Sequence, residues 1–341
     1  MSNIKISVKN LYKIFGDKPG EMIEHLEAGH TKESLLKEFG HVLGLRKINM
    51  DILQSATQVI MGLSGSGKST LVRHFNRLIT PTSGDIIIDD ENIIKKTDLE
   101  IRNMRRHKIS MVFQNFALFP HRTVSQNIAY GLITQGLEQD KINSKIDKWI
   151  DKVGLNGFED HYPSQLSGGM QQRVGLARAL ATDGEIILMD EPFSALDPLI
   201  REEMQEVLLK LQKDIQKTII FITHDLDEAL KLGDSIAILN SGEIVQKGSP
   251  QDIILRPINN YVAKFTKNIN RSRVIQVSSI MDDDVKVNGP TIDGNMLIEN
   301  VLEVLSEKGS LTGIVTHNSE PIGSVNLYKL IKVINQPALI K

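Results

Sequence analysis

Gly62-Leu63-Ser64-Gly65-Ser66-Gly67-Lys68-Ser69-Thr70 fits the pattern G-x-x-x-x-G-K-[ST], a glycine-rich turn joining a strand to a helix. Glycines let the backbone wrap tightly there, so that successive N–H groups converge on phosphate oxygens at a helix N-terminus. Gly62, Ser64, Gly65, Ser66, Gly67, Lys68, Ser69 and Thr70 are therefore the expected phosphate contacts. The Lys68 ammonium is expected to reach the β and γ phosphates of a nucleotide, and the Ser69 hydroxyl to ligate Mg²⁺.

The flanking sequence supplies the scaffold such a turn needs. Val59–Gly62, Ile86–Ile88, Ile109–Phe113, Ile186–Met189, Thr218–Ile222 and Ile236–Leu239 are short aliphatic or β-branched runs that read as buried strands. Amphipathic stretches such as Leu199–Gln216 separate several of them, which predicts an α/β fold with a mainly parallel core sheet. Pro81-Thr82-Ser83-Gly84 and Asn240-Ser241-Gly242 mark turns. The run Ile186-Ile187-Leu188-Met189 ends in two carboxylates, Asp190 and Glu191. In a parallel sheet that end lies beside the phosphate turn. Asp190 is placed to anchor Mg²⁺ through its water shell. Glu191 is then free to orient or deprotonate the attacking water that phosphoryl transfer requires.

Bulk properties narrow the field. The chain has 341 residues, 40% hydrophobic and 24% charged, in the range of an ordinary globular protein. Forty basic against 42 acidic residues give a formal charge of −2, so nothing global points to nucleic acid. The local basic run Arg102–Lys108 reads as a solvated helix face. The absence of cysteine excludes disulfides, thiolate metal sites and a cysteine nucleophile. Met1-Ser2-Asn3-Ile4-Lys5 lacks the apolar core of a signal peptide. No stretch approaches the roughly 18 consecutive apolar residues of a spanning helix, so any membrane role is expected to act through a partner.

Leu166-Ser167-Gly168-Gly169-Met170-Gln171-Gln172-Arg173 stands shortly before the acidic strand. A serine hydroxyl and glycine amides opening a helix make a second anion site, here Ser167, Gly168, Gly169 and Gln171. This stretch resembles the signature sequence of ABC ATPases. The resemblance covers roughly Ile4 to Phe265 and implies a P-loop NTPase of the ABC type. That fold has a mainly parallel core sheet, an antiparallel N-terminal subdomain and a helical signature subdomain, here at about 115–182. The resemblance implies a homodimer in which the signature of one subunit closes on ATP bound by the other. Gln114 matches the Q-loop glutamine that senses Mg²⁺ and water. Ser194-Ala195-Leu196-Asp197 matches the D-loop at the dimer interface, and His224 the switch histidine at the γ-phosphate. Phe15 matches the aromatic that stacks on adenine. Glu191, His224 and Gln114 are thus the expected catalytic set, with Ser69, Gln114 and Asp190 on the metal.

Within the family, several stretches look like the ATP-binding subunit of quaternary-amine (glycine betaine/proline/choline) importers. They are Leu11–Gly16, the mostly helical insertion Asp17 to about Arg46, Val112–His121 and Ala195–Arg201. The loop Asn115–Arg122, carrying Phe116, Leu118 and Phe119, is where a membrane permease is expected to dock. A substrate-binding protein would act indirectly, no nucleic acid is involved, and the chain would sit at the cytoplasmic face of the inner (plasma) membrane. Another small polar solute is the alternative cargo. A soluble ABC ATPase is the further rival, disfavoured because the chain has one cassette and a short region between its two motifs.

An ABC ATPase domain is expected over 1–268 and a small second one over 269–341. The latter reads as strand (Val274–Val277), helix (Leu297–Lys308), strand (Leu311–Val315), strand (Gly323–Leu327) and helix (Tyr328–Ile334). It resembles a single α+β CBS-like motif, where the subfamily usually has two. Ligand sensing and a purely structural role both stay open.

Overall fold

Three runs, Thr57–Met61, Ile186–Asp190 and Thr218–Thr223, are buried at every residue. Unbroken burial rather than alternation is the mark of parallel strands covered on both faces. In the computed structural model, which describes residues 3–285 and 287–335, they are neighbours at the centre of one sheet. In chain order the strands begin β1 (Ile4–Phe15), β2 (Val42–Leu53), β3 (Thr57–Met61), β4 (Ser83–Ile88) and β5 (Glu91–Asn92). They continue with β6 (Ile109–Val112), β7 (Ile186–Asp190), β8 (Thr218–Thr223), β9 (Ser235–Asn240) and β10 (Glu243–Gly248). The core sheet has the order β10-β9-β3-β8-β7-β6, and β3, β6, β7, β8 and β9 pair in parallel. A second sheet, β2-β1-β4-β5, is antiparallel.

The two sheets share one core. Ile6, Val8 and Ile86 from the antiparallel sheet and Ile60, Leu188 and Ile220 from the parallel one meet Leu71, Val72 and Phe75 of the helix Lys68–Phe75. Each such side chain contributes about 1.5–3 kcal/mol on burial. That helix is thereby clamped between the sheets, and its N-terminus is fixed at the end of β3.

The helical segment after β1 is shorter than the sequence pattern suggests. Helices Met22–Glu27 and Lys32–Phe39 bury Met22, Leu26 and Leu35 against Tyr12, Ile14 and Leu43. From Val42 the chain is already strand, because Leu43 and Leu45 alternate inward and pair with Ile14 and Lys13 of β1. Helices Val124–Thr134, Gln139–Lys152 and Gly168–Ala181 make up the helical subdomain.

The chain divides into two compact units, Met1–Val245 and Gln246–Lys341. Helices Pro250–Leu255 and Asn260–Thr266 fall in the second unit. Gln251 helps hold them there, its Nε2 donating to the Val274 carbonyl at 3.0 Å. This unit also holds β11 (Thr291–Asp293), β12 (Thr312–His317) and β13 (Glu320–Asn326), with helices Ile298–Glu307 and Leu327–Asn335. The expected strand Val274–Val277 is not formed. Its place is taken by 3-10 turns at Arg271–Arg273 and Val277–Ser279, and the first strand is β11, parallel to β12. Ile275 and Val277 are fully buried, which explains the apolar signal. The Val277 amide donates to the Met296 carbonyl, and the Ile275 carbonyl accepts from the Ile298 amide at the start of a helix.

His74, in the clamped helix, is fully buried, with Nδ1 2.7 Å from the Thr70 carbonyl. Its Nε2 has no hydrogen-bond partner among the described residues. Burial, helped by the charge of Lys13 and opposed by the Thr70 carbonyl, pushes its pKa down to about 4 from 6.5. A base depressed in this way binds its proton more readily in the unfolded chain, so stability falls as pH drops from 6.5 toward 4. The expected loss between pH 7 and pH 5 is about 2 kcal/mol. Urea midpoints of parent and His74→Leu at the two pH values check this, the variant being expected to lose the dependence.

Candidate functional site

The parallel sheet brings the predicted chemistry to one edge. The phosphate loop follows β3, Gln114 follows β6, Glu191 follows β7 and His224 follows β8. Register makes these strand ends level: Met61 pairs with Thr223, Asp190 with Ile222 and Val112 with Met189. The result is an open cleft of about 560 Å³ lined by residues 63–70 together with Gln114, Glu191 and His224.

Inside the loop, Lys68 is 5% exposed and donates from Nζ to the carbonyls of Gly62 (2.8 Å) and Leu63 (3.2 Å). Glu191 Oε1 lies 3.7 Å from the same nitrogen. Burial lowers the Lys68 pKa, and the carboxylates of Glu191 and Asp190 oppose that. Ser69 Oγ donates to Asp190 Oδ1 at 2.9 Å. Burial raises the Asp190 pKa and Glu191 adds to it, while Ser69, Arg73 and Lys68 pull it down. Two neighbouring carboxyls, one buried, are a site short of positive charge. At Gly62 and Gly67 a Cβ would stand 2.3 Å from the Leu239 carbonyl and 2.6 Å from the Gly44 carbonyl. Both glycines also have positive φ, so the loop admits no side chain at either position.

Glu191 has φ 46°, a left-handed conformation that costs a non-glycine residue about 1–3 kcal/mol. Its amide donates to the Ile222 carbonyl at 3.1 Å, and its Oε2 lies 3.2 Å from His224 Nδ1. At Thr223, the residue before His224, sits a buried carboxyl that sequence reasoning missed. Glu228 accepts from Thr223 Oγ1 at 2.6 Å and from Gln205 Nε2 at 3.3 Å. An acidic residue three to five positions beyond a strand end reads as an ordinary helix-start residue, which conceals it.

Phe15 does not line the cleft but stands next to it. It is 41% exposed, with Lys13 Nζ 4.9 Å from its ring centre. Gly44 separates it from the loop: a Cβ there would be 2.9 Å from Phe15 Cε2 and 3.5 Å from Thr70 Cγ2.

The second motif lies apart from this cleft. Ser167 caps the helix Gly168–Ala181, its Oγ accepting from Met170 N at 3.3 Å. Asp197 caps Pro198–Ile215 in the same way, accepting from Ile200 N at 3.1 Å. A Cβ on Gly169 would meet Ile200 Cγ2 at 2.5 Å, so these two helix starts pack directly on each other. Gln171 spends its amide internally, donating to the carbonyls of Pro163 (3.0 Å) and Leu166 (3.2 Å). None of Ser167, Gly168, Gly169, Gln171 and Asp197 lines the phosphate cleft of its own chain.

The loop after Gln114 is held by two residues not singled out in the sequence. Buried Asn127 accepts from Phe119 N at 2.9 Å and donates to the carbonyls of Phe119 (3.2 Å), Arg122 (3.0 Å) and Thr123 (3.0 Å). Arg178 donates to the carbonyls of Phe116 (3.0 Å) and Ala117 (2.7 Å). An asparagine inside an apolar helix was the available signal. Beside the loop lies a mostly apolar groove of about 430 Å³, with Leu78, Met111, Phe113, Phe119 and Tyr130 in its wall.

Comparison with known proteins agrees with this geometry. The ABC transporter family profile matches residues 45–194. A glycine betaine transport ATP-binding protein of Bacillus subtilis (strain 168) is 49% identical, over 92% of this chain and 76% of its own length. The chain belongs to the ABC transporter family. It is an ABC ATPase subunit, whose nucleotide is ATP. A trimethylamine N-oxide transport system ATP-binding protein of Pelagibacter ubique (strain HTCC1062) is 42% identical and matches over 98% of both chains. Among solved structures, a dimeric ATP-binding cassette in a post-hydrolysis state bound to ADP and Pi superposes with a TM-score of 0.60. It is 32% identical over 72% of this chain and 98% of that one. No helix among the described residues of this ABC subunit is long and apolar enough to cross a membrane.

Proposed function

We propose that this ABC ATPase powers import of glycine betaine or a related methylated-amine osmolyte through a separate permease. The observation that carries the ATPase reading is the meeting of Lys68, Asp190, Glu191, Gln114 and His224 at the ends of four neighbouring parallel strands. The cargo class rests on the relatives, whose names state glycine betaine and trimethylamine N-oxide transport.

In this reading the loop amides and Lys68 bind the phosphates. The Ser69 hydroxyl, the Asp190 carboxylate and the Gln114 amide oxygen form a hard-oxygen donor set with a single carboxylate. Such a set suits Mg²⁺, which keeps waters and substrate phosphates as its remaining ligands. Bound there, the ion would neutralise charge on the phosphates. Glu191, turned into the cleft by its left-handed backbone, orients the attacking water and takes its proton. His224, bonded to Glu191, faces the γ-phosphate. Ser167, Gly168, Gly169 and Asp197 sit away from the cleft because they serve the cleft of a second copy in a head-to-tail dimer. The permease docks on the Asn115–Arg122 loop and its groove, holding the subunit at the cytoplasmic face of the membrane. Residues 269–341 serve as a single CBS-like module.

Uptake of labelled glycine betaine by vesicles holding this subunit with its permease tests the proposal. Accumulation that needs ATP supports it; accumulation of sulfate with no uptake of any methylated amine would sink the cargo class. Docking has its own check. Phe119→Asp puts a charge on the groove wall and is expected to cut permease copurification at least tenfold, with ATPase activity of the isolated subunit within twofold. Unchanged copurification refutes the docking site.

A further inference from the structure

The helical insertion takes no part in the chemistry above, yet it is fastened to the phosphate loop at two places. Lys32, the first residue of the helix Lys32–Phe39, donates from Nζ to the Gly65 carbonyl at 3.1 Å. Gly65 is the tip of the loop, with φ 75° and nothing within 4 Å of where its Cβ would stand. A side chain would find open space there, and the lysine bond holds the tip's carbonyl from outside the loop. The second fastening passes through β2. Arg46 donates from Nη2 to the carbonyl of the fully buried Leu26 at 2.8 Å. The Arg46 amide donates to Gly242 O at 2.8 Å, and the Gly242 amide to Ser66 O at 2.9 Å.

Two successive loop carbonyls, Gly65 and Ser66, are thus held by donors traceable to the insertion. In a trans peptide the C=O and the following N–H point in opposite directions within one plane. Holding the carbonyl therefore aims the next amide, at Ser66 and Gly67, away from the donor. Ser66 N–H also closes a turn on the Leu63 carbonyl at 3.2 Å, which the lysine bond steadies. An ammonium on the carbonyl polarises the same peptide and adds positive charge beside an anion site.

We propose that the insertion is a brace for the phosphate loop, and that Lys32 is a positioning residue that tightens nucleotide binding. The inference rests on the reading of residues 62–70 as the ATP phosphate site. Lys32 reaches the nucleotide through the loop, so it raises affinity for ATP and ADP alike and leaves the bond-breaking step to the cleft.

The test compares Lys32→Met and Lys32→Arg with the parent in the full chain. Fluorescent ATP and ADP analogues report Kd, steady-state assays report KM and kcat, and hydrogen exchange reports the Ser66 and Gly67 amides. Lys32→Met is expected to weaken both nucleotides about three- to tenfold. KM should rise by the same factor, kcat stay within twofold, and exchange at the two amides quicken. Lys32→Arg should recover Kd to within twofold. A parent-like Kd in Lys32→Met overturns the proposal, including when its melting temperature falls; so does an equal loss in Lys32→Arg. Failure of the parent to bind either nucleotide would instead overturn the phosphate-site reading.

Discussion

Lys68→Ala is expected to lower ATP turnover by about three orders of magnitude and to weaken nucleotide binding severely. Two losses combine. The buried ammonium is the positive charge inside the loop, and in phosphoryl transfer such charge stabilises the transition state more than the ground state. The same nitrogen also bonds the carbonyls of Gly62 and Leu63, and its removal frees the backbone that shapes the loop. Two measurements check the result: steady-state phosphate release, and titration with a fluorescent ATP analogue. Turnover within tenfold of the parent would remove the basis for placing phosphate on residues 62–70. Lys68→Arg should not rescue, because a planar guanidinium cannot enter a 5%-exposed niche shaped for a point charge.

Glu191→Gln should separate binding from hydrolysis. The amide keeps the size of the carboxylate and can still bond His224, so the cleft geometry survives. What it loses is the ability to accept a proton from water. A positioned general base contributes about 10²–10⁴-fold, and turnover should fall by that factor. ATP binding should be retained, and with hydrolysis blocked an ATP-dependent dimer should accumulate in size-exclusion chromatography. Parent-like turnover would take the base away from Glu191 and leave Asp190 or a residue of the partner as candidates. Lost ATP affinity with no dimer would mean that Glu191 acts in binding, through its charge 3.7 Å from Lys68. His224→Ala should slow turnover less than Glu191→Gln if it serves chiefly to orient that carboxylate.

Particular residues show where reading a linear chain succeeds. Residues 62–70 and 186–191 declare themselves because their chemistry depends on adjacent positions: a loop wraps phosphate with consecutive amides, and a strand delivers a carboxylate at its end. Gln114, between those motifs, and His224, beyond the second, were legible by their order and spacing around them, and the sheet brings both to the cleft. Val274–Val277 shows the opposite case. Ile275 and Val277 bury as readily against irregular chain as in a strand, and periodicity alone does not tell these apart.

The fold class, the glycine-rich turn, the acidic strand end and the family were legible in the linear chain, since each follows from neighbouring residues or from motif order. Which side chains hold the site in shape emerged with the packing. Asn127 holds the loop after Gln114 through Phe119, Glu228 bonds Thr223 at the end of β8, and Lys32 reaches the tip of the glycine-rich loop from 33 positions away. The physical reason is the range of the interactions. A backbone turn or strand is specified within a few residues, whereas a hydrogen bond or buried carboxyl depends on partners that only packing brings within 3 Å or so of each other.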